Sequence, residues 1–287
     1  MRAMAVCETA ARAFVAAARR CFVPPAVPAL LMACATPVAG PMATASGPPA
    51  SAQAGAPLHA APQPRTVELV LDGRRTVADV FVPPGVALGG AVLAHGFTRT
   101  RATMTGHAAL LANAGILAVT PDLPYLIDSR DNARALADLV AQMRAGRFAA
   151  PVDHLVLIGF SAGGLAALLA SDRPGVVGYV GMDPFDRPSR IGHKFAQTLP
   201  VPAALLRAPA SACNAFSIAA PWAQAFPRIE VDRLFEGATH CDFEAPSDWL
   251  CRTVCGPEQP ERQGAIGAEL LRIVRKWLVP VQVATPG

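Results

Sequence analysis

Charged side chains are scarce in this 287-residue chain, where Asp, Glu, Lys and Arg together make up only 16 % of the residues. Because 52 % are hydrophobic, a wholly disordered chain is excluded. The formal net charge is only +4, and four arginines against one glutamate in residues 1–45 account for +3 of it. The rest of the chain has no clustered basic surface, so nucleic acid is not an expected partner.

The N-terminal region lacks a hydrophobic run long enough to span a membrane. Its apolar stretch, 22–35, follows Arg19 and Arg20, is broken by prolines and passes into Pro/Ala-rich sequence. A positive segment, a short apolar segment and small residues at its exit are typical of a secretory signal. We therefore predict a leader in residues 1–45 and an exported protein, either secreted or periplasmic.

Cleavage of this leader is expected after Ala33, Ala35 or Ala45. Residues 31–34 also resemble a bacterial lipobox, in which Cys34 would be lipidated; contact with a membrane is expected only in that case. A disordered Pro/Ala-rich linker is predicted at 46–64. The catalytic domain is predicted at 65–287, as a monomer.

The remaining cysteines cluster in the last third of the chain. An even number of cysteines in an exported protein favours two disulfides. Zinc is the alternative, because Cys251 and Cys255 lie close in sequence to His240. Four cysteines permit three pairings; we favour Cys251–Cys255 with Cys213–Cys241. The four residues are Cys213, Cys241, Cys251 and Cys255.

The pattern of apolar runs predicts an α/β fold with a mostly parallel central sheet and helices on both faces. An initial hairpin turns at Asp72-Gly73, and strand–helix units follow. Strands are expected at 66–71, 76–82, 91–94, 116–120, 154–158, 177–182, 203–206 and 229–235. Helices are expected at 103–113, at 130–144, from 162, and at 265–278.

The segment Gly159-Phe160-Ser161-Ala162-Gly163 joins an apolar strand to a helix-forming run. Gly-x-Ser-x-Gly in that context predicts a nucleophile elbow, in which a sharp turn presents the Ser161 hydroxyl as the nucleophile. The alternatives are a Gly-rich turn with a capping serine, and a catalytically silent relative that only binds.

Two backbone amides are expected to form an oxyanion hole. The first belongs to Ala162, the residue after the nucleophile, and the second to Phe97, in the loop after an early strand. His95 lies in that loop and is expected to brace it rather than to act as the base.

The base and the acid are expected at the carboxyl ends of later strands. His240 follows the last strand, whereas His193 has no strand before it, so we predict His240 as the base. The segment after 203–206 contains no acidic residue. Asp183, which ends the preceding strand, is therefore the predicted acid, with Asp186 and Asp242 as alternatives.

These motifs resemble the chlorophyllase family, a branch of the α/β-hydrolase superfamily near the dienelactone-hydrolase and polyester-hydrolase-like enzymes. The resemblance covers roughly residues 85–280, and it implies a triad of Ser161, Asp183 and His240. Phe160 and Ala162 stand where that family's elbow has His and Arg, and Thr239 replaces a Gly. These departures count against chlorophyll as the substrate and leave ester hydrolysis as the expected reaction. It is carried by residues 159–164, Asp183-Pro184, His240-x-Asp242 and the Cys-rich segment.

The sequence thus predicts a carboxylic ester hydrolase that forms an acyl-enzyme on small or polymeric esters, without metal or cofactor. A lipase or cutinase-like polyester hydrolase is the alternative enzyme, and a catalytically silent binding protein is the alternative of another class. Residues 187–197 are expected to form a short lid. Phe160, Phe185 and Trp222 are candidates for the substrate pocket, together with Phe97, Thr98 and Tyr125.

Overall fold

The structure is a computed structural model that describes residues 63–279. The predicted leader, its cleavage sites and Cys34 lie outside the described residues, as does most of the predicted linker. Within the described part of the chain, no helix is long and apolar enough to cross a bilayer.

An eight-stranded sheet forms the centre of the molecule, in the spatial order β1-β2-β4-β3-β5-β6-β7-β8. β1 pairs antiparallel with β2, which pairs antiparallel with β4, and all other neighbours are parallel. This confirms the predicted hairpin and the mostly parallel sheet. The strands are β1 Arg65–Leu71, β2 Arg74–Phe81, β3 Gly90–Ala94, β4 Leu117–Pro121, β5 Leu155–Phe160, β6 Val176–Met182, β7 Ala203–Arg207 and β8 Ile229–Leu234.

Helices cover both faces of this sheet, as predicted, and bury two apolar layers. One layer lies under α2, α3, α4 and α5, and the other under α1 and α7. The helices are α1 Thr105–Asn113, α2 Ser129–Arg144, α3 Ala162–Leu169, α4 Ile191–Ala196, α5 Trp222–Ala225, α6 Trp249–Cys255 and α7 Pro260–Leu278. Short 3-10 helices lie at Arg101–Met104, Ala212–Asn214 and His240–Phe243.

The two long helices follow simple sequence rules. The Asp128 side chain caps α2 by accepting hydrogen bonds from two backbone amides of its first turn, and an apolar stripe faces the core. α7 begins at Pro260, five residues before the predicted start at Ala265. Proline fits the first turn of a helix, where its missing N–H has no intrahelical partner.

Two strands, β1 and β8, form the edges of the sheet. β1 carries Arg65 and Glu68 among exposed positions. β8 carries alternating apolar and charged residues, including Glu230 and Asp232, and most of its side chains are at least partly exposed. The six strands between these edges contain the buried apolar runs, and the loops at their carboxyl ends carry the predicted site residues.

Candidate active site

Ser161 occupies a strained turn between β5 and α3, at φ 52° and ψ −121°. The two glycines of the elbow are sterically required. A Cβ at Gly159 would collide with the carbonyl of Gly163, and a Cβ at Gly163 would collide with His95 O and lie 2.6 Å from Ala94 O. The turn leaves Ser161 partly exposed, whereas all of β5 before it is buried.

The loop after β3 packs directly on this turn. A Cβ at Gly96 would lie 3.2 Å from the Cβ of Ser161, a tight contact that glycine avoids. Neither the Phe97 amide nor the Ala162 amide donates a hydrogen bond to another group of residues 63–279. Two unpaired amides beside a partly exposed hydroxyl are suited to bind a developing oxyanion.

His95 braces this loop, as its position in the sequence suggested. Its Nε2 accepts a hydrogen bond from the Leu123 amide at 2.9 Å, so its Nδ1 carries the proton and donates to Gly96 O at 2.8 Å. Burial lowers the pKa of His95 and keeps the ring neutral. Both ring nitrogens are therefore occupied by backbone groups, and neither is available as a base.

Asp183 follows β6 and is almost completely buried, with a left-handed backbone at φ 40°. Its amide donates to Leu206 O at 2.6 Å, which fixes it against the end of β7. Its carboxylate accepts hydrogen bonds from the Ala208 amide at 3.0 Å and from Asn214 Nδ2 at 3.2 Å. These donors satisfy the buried carboxylate and fix its orientation.

His240 is held against this carboxylate, with its Nδ1 2.6 Å from Asp183 Oδ2. The Phe160 ring lies beneath the imidazole, with the ring centroids 4.5 Å apart. His240 thus contacts both Asp183 and Phe160, the residue that directly precedes Ser161. No hydrogen bond joins Ser161 Oγ to His240 in the described residues; contacts of this kind often tighten only when substrate binds.

The alternative acids, Asp186 and Asp242, make contacts that do not involve a histidine side chain. Asp186 accepts hydrogen bonds from the Gly192 and His193 amides at 3.0 and 2.9 Å and therefore anchors the start of α4. Asp242 accepts from the Gln259 amide at 2.7 Å, among other groups, and anchors the loop that carries His240.

Trp222 is a core residue rather than a pocket residue, contrary to the prediction. Its side chain is fully buried, and Nε1 donates to Asp186 Oδ2 at 2.8 Å. Tyr125 lies with the β1–β2 turn, where its hydroxyl contacts Asp72. Phe185 is partly exposed, and its amide donates to Ser161 O at 3.0 Å. Sequence hydrophobicity alone could not separate these aromatic residues into core and site.

The disulfides differ from the pairing that we favoured. Cys213 bonds to Cys255, and Cys241 bonds to Cys251. Cys251 and Cys255 lie one turn apart on α6, and each reaches out to a different loop instead of to the other. The sulfurs of Cys241, Cys251 and Cys255 lie within 4.8 Å of one another. Once oxidised, they cannot act as thiolate ligands for zinc.

Both disulfides connect α6 to loops that position the Asp183–His240 pair. Cys241 directly follows His240, and Cys213 directly precedes Asn214, the amide that contacts Asp183. Asn214 was not predicted from the sequence. The one sequence feature that pointed to Asn214 was its place after β7, in a segment that contains no acidic residue.

The exposed aromatic side chains of residues 63–279 are all at this end of the molecule. Phe97, Phe216 and Trp249 are 50 %, 74 % and 69 % exposed; Phe97 and Phe216 lie on the loops after β3 and β7, and Trp249 begins α6, which follows β8. Leu126 and Ile127, on the loop after β4, are also well exposed. The site therefore has an apolar rim, which we define as these five residues.

Comparison with known proteins gives structural but not sequence relatives. No family model matches the chain, and no curated protein matches it significantly. Among solved structures, a dienelactone hydrolase from Anabaena variabilis is similar with a TM-score of 0.60 at 17 % identity, over 76 % of this chain and 99 % of that one.

Two further structures are similar over comparable lengths. The esterase domain of a Rhodothermus marinus protein gives a TM-score of 0.58 at 17 % identity, over 75 % of this chain and 99 % of that one. Est1E from Butyrivibrio proteoclasticus gives 0.55 at 14 % identity, over 72 % and 98 %. These similarities confirm the predicted fold class.

Proposed function

Starting from the α/β-hydrolase fold, we propose that this protein is a serine hydrolase that cleaves carboxylic esters. The contact that carries the proposal is the 2.6 Å hydrogen bond between His240 and Asp183, next to the strained turn of Ser161. An imidazole oriented by a buried carboxylate near a partly exposed hydroxyl is the arrangement required for nucleophilic acyl transfer. The esterase and dienelactone hydrolase among the structural neighbours support the same class of reaction.

The proposed reaction has two steps. Ser161 Oγ attacks the ester carbonyl while His240 Nε2 takes its proton, and the Phe97 and Ala162 amides stabilise the oxyanion. His240 then protonates the leaving alkoxide, and an acyl-enzyme remains. Water attacks this ester by the same route and releases the acid. Asp183 keeps the proton of neutral His240 on Nδ1, so that Nε2 is free to act as the base.

A second candidate is a lipase or cutinase-like polyester hydrolase. The apolar rim favours it, because the exposed aromatic side chains of the described residues lie on segments that follow the carboxyl ends of the parallel strands, as the proposed catalytic residues do. Exposed apolar patches of this kind mark binding surfaces. We include small and polymeric esters in the proposed substrate class, and we propose no metal or organic cofactor.

The proposal includes export from the cytoplasm. Two disulfides are compatible with an oxidising compartment. The predicted leader supplies the route, and the final location is proposed to be secreted or periplasmic, with a membrane anchor only if Cys34 is lipidated. We propose a monomer and no nucleic-acid partner.

A fluorophosphonate probe tests the proposed nucleophile. We expect covalent labelling of the wild-type protein and none of the Ser161→Ala variant, with activity on p-nitrophenyl esters reduced by at least about 10⁴-fold. Absence of labelling in folded wild-type protein would contradict the enzyme function. The same assay with acyl chains of increasing length separates the two candidates, since a lipase prefers long, emulsified esters.

A further inference from the structure

Charged side chains link the loop that carries Phe97 to the segment that follows His240. Arg99 Nε lies 3.0 Å from Glu244 Oε1, and Arg99 Nη1 lies 3.1 Å from Asp248 Oδ2. The Glu244 side chain is fully buried, and that of Arg99 is 10 % exposed. Water and salt therefore screen the Arg99–Glu244 ion pair only weakly.

Arg99 closes the turn that presents the Phe97 amide. Its own amide donates to Gly96 O at 3.2 Å. Thr98, between Phe97 and Arg99, has φ 60°, in the left-handed region that β-branched residues rarely adopt. Such a conformation persists only when its surroundings hold it in place. The ion pair of Arg99 is a contact that holds this turn from outside.

Glu244 occupies an equally fixed position, directly after the 3-10 helix His240–Phe243. Its amide donates to Cys241 O at 3.2 Å, and its carbonyl accepts a hydrogen bond from Gln263 Nε2 at 2.7 Å. The carboxylate of Glu244 therefore has a defined position relative to His240. Through Arg99, the segment carrying the proposed base is connected to the loop carrying a proposed oxyanion donor.

The Arg99–Glu244 pair does not satisfy its buried carboxylate. Neither carboxylate oxygen of Glu244 completes an aligned hydrogen bond within the described residues. Burial raises the pKa of Glu244 to about 7; Arg99 and the Asp248 backbone amide oppose this rise, and the charges of Asp248 and Glu258 add to it. His107 contacts the carbonyl of Phe243, the residue before Glu244, and burial keeps His107 neutral by lowering its pKa to about 4. Asp242, two residues before Glu244, is paired with Arg262 of α7.

The raised pKa means that the Glu244 charge weakens the fold at neutral pH. An acid whose folded pKa lies above its ordinary value of 4.5 contributes stability below pH 4.5, which is lost as the pH rises through 7. A buried ion pair of this type is weak support for stability. Its presence between two proposed catalytic loops indicates a role in positioning instead.

We propose that Glu244 is a positioning residue that acts through Arg99 to hold the Phe97 amide in register with His240. The inference rests on the proposed ester hydrolysis and adds Arg99 and Glu244 as residues that hold the proposed catalytic groups in place. The Arg99–Glu244 pair exists only while Glu244 is ionised, so alignment of the oxyanion hole is maintained above pH 7 and relaxes below it. Substrate binding itself does not require the pair.

The Glu244→Gln variant tests this role, because it preserves shape and removes the charge. At pH 8.5 we expect kcat on a p-nitrophenyl ester to fall about tenfold, with KM changed less than twofold. Below pH 6 the ratio of wild-type to variant kcat should approach one, since Glu244 is then uncharged in the wild type as well. Any pH effect common to both proteins cancels in this ratio.

Three controls separate positioning from a general loss of structure. Glu269→Gln removes a largely buried carboxylate paired with Arg272 on α7, away from the site, and should leave kcat unchanged. Thermal unfolding of Glu244→Gln at pH 8 should occur at an equal or higher Tm. Arg99→Lys, which keeps the charge, should retain more activity than Arg99→Gln.

The outcomes distinguish this inference from the proposed function. A wild type labelled by the fluorophosphonate probe, together with a kcat ratio that is constant from pH 6 to 8.5, overturns the positioning role alone. Unchanged kcat in Glu244→Gln at pH 8.5 does the same. A wild type that neither labels nor hydrolyses esters overturns the proposed function and this inference with it.

Discussion

The turn that carries Ser161 and the two loops that carry Asp183 and His240 are built on different principles. The Ser161 turn is formed by consecutive residues, and two glycines fit it because any side chain there would strike backbone. The Asp183–His240 pair joins residues 57 positions apart. It depends on Asn214, on the Ala208 amide and on two disulfides to α6.

This difference shows where a substitution does its damage. In the Ser161 turn, steric exclusion fixes the backbone. An added methyl group would therefore lower the stability of the fold, and it would change catalysis only by distorting the turn. In the paired loops, polar contacts and covalent bridges fix two side chains, so a change of one atom can remove catalysis while leaving the fold. The three predictions below test this contrast.

The largest effect is expected from Asp183→Asn. The change removes the acceptor that orients His240 but keeps the side-chain volume, so kcat should fall about 10⁴-fold with little change in Tm. Asp186→Asn is the matched control. Because Asp186 accepts from backbone amides at α4 and from Trp222, its loss should lower Tm and leave kcat of the folded protein within about threefold. Full activity in Asp183→Asn would show that Asp183 is not the acid.

The disulfides should separate stability from activity. The Cys213–Cys255 bridge spans 42 residues and the Cys241–Cys251 bridge spans 10, so chain entropy predicts losses of about 4 and about 3 kcal/mol on removal. Paired Cys→Ala variants, measured by chemical denaturation, test that order. Activity should fall more in the Cys241/Cys251 variant, because Cys241 adjoins His240. The reverse order for activity would contradict a role of α6 in holding the base.

Gly163→Ala is expected to lower the free energy of unfolding by about 3 kcal/mol, no more than the loss of either disulfide. The added Cβ meets the carbonyls of His95 and Ala94, which are backbone atoms that cannot rotate away. Gly264→Ala is the control, because a Cβ there meets nothing within 4 Å and replaces glycine inside α7. Equal unfolding free energies of Gly163→Ala and wild type would show that the turn can relax.

The same contrast explains what the sequence could predict. The buried parallel strands followed from apolar runs, because burial on both faces of a sheet leaves a local pattern along the chain. The β1–β2 hairpin followed from alternation around Asp72-Gly73. The Ser161 turn was readable for the same reason, since its requirement for glycine is met within five residues.

The parts that could not be predicted depend on contacts between distant segments. The cysteine pairing was wrong because α6, between Trp249 and Cys255, was not anticipated, and without it the adjacent Cys251 and Cys255 seemed natural partners. Trp222 was misplaced because hydrophobicity does not distinguish a core indole from a pocket indole. Asn214 and Glu244 carry no local pattern at all, since their roles exist only after the loops meet.

The two edges of the sheet bear on how the protein behaves at high concentration. An edge strand offers unpaired peptide groups to which a second chain can add, and charged side chains make that addition unfavourable. Arg65 and Glu68 on β1, with Glu230 and Asp232 on β8, place such charges at both edges. This chain has few charges, and some of them lie where they oppose strand-to-strand aggregation. The apolar rim is then the exposed surface through which two molecules would associate at high concentration.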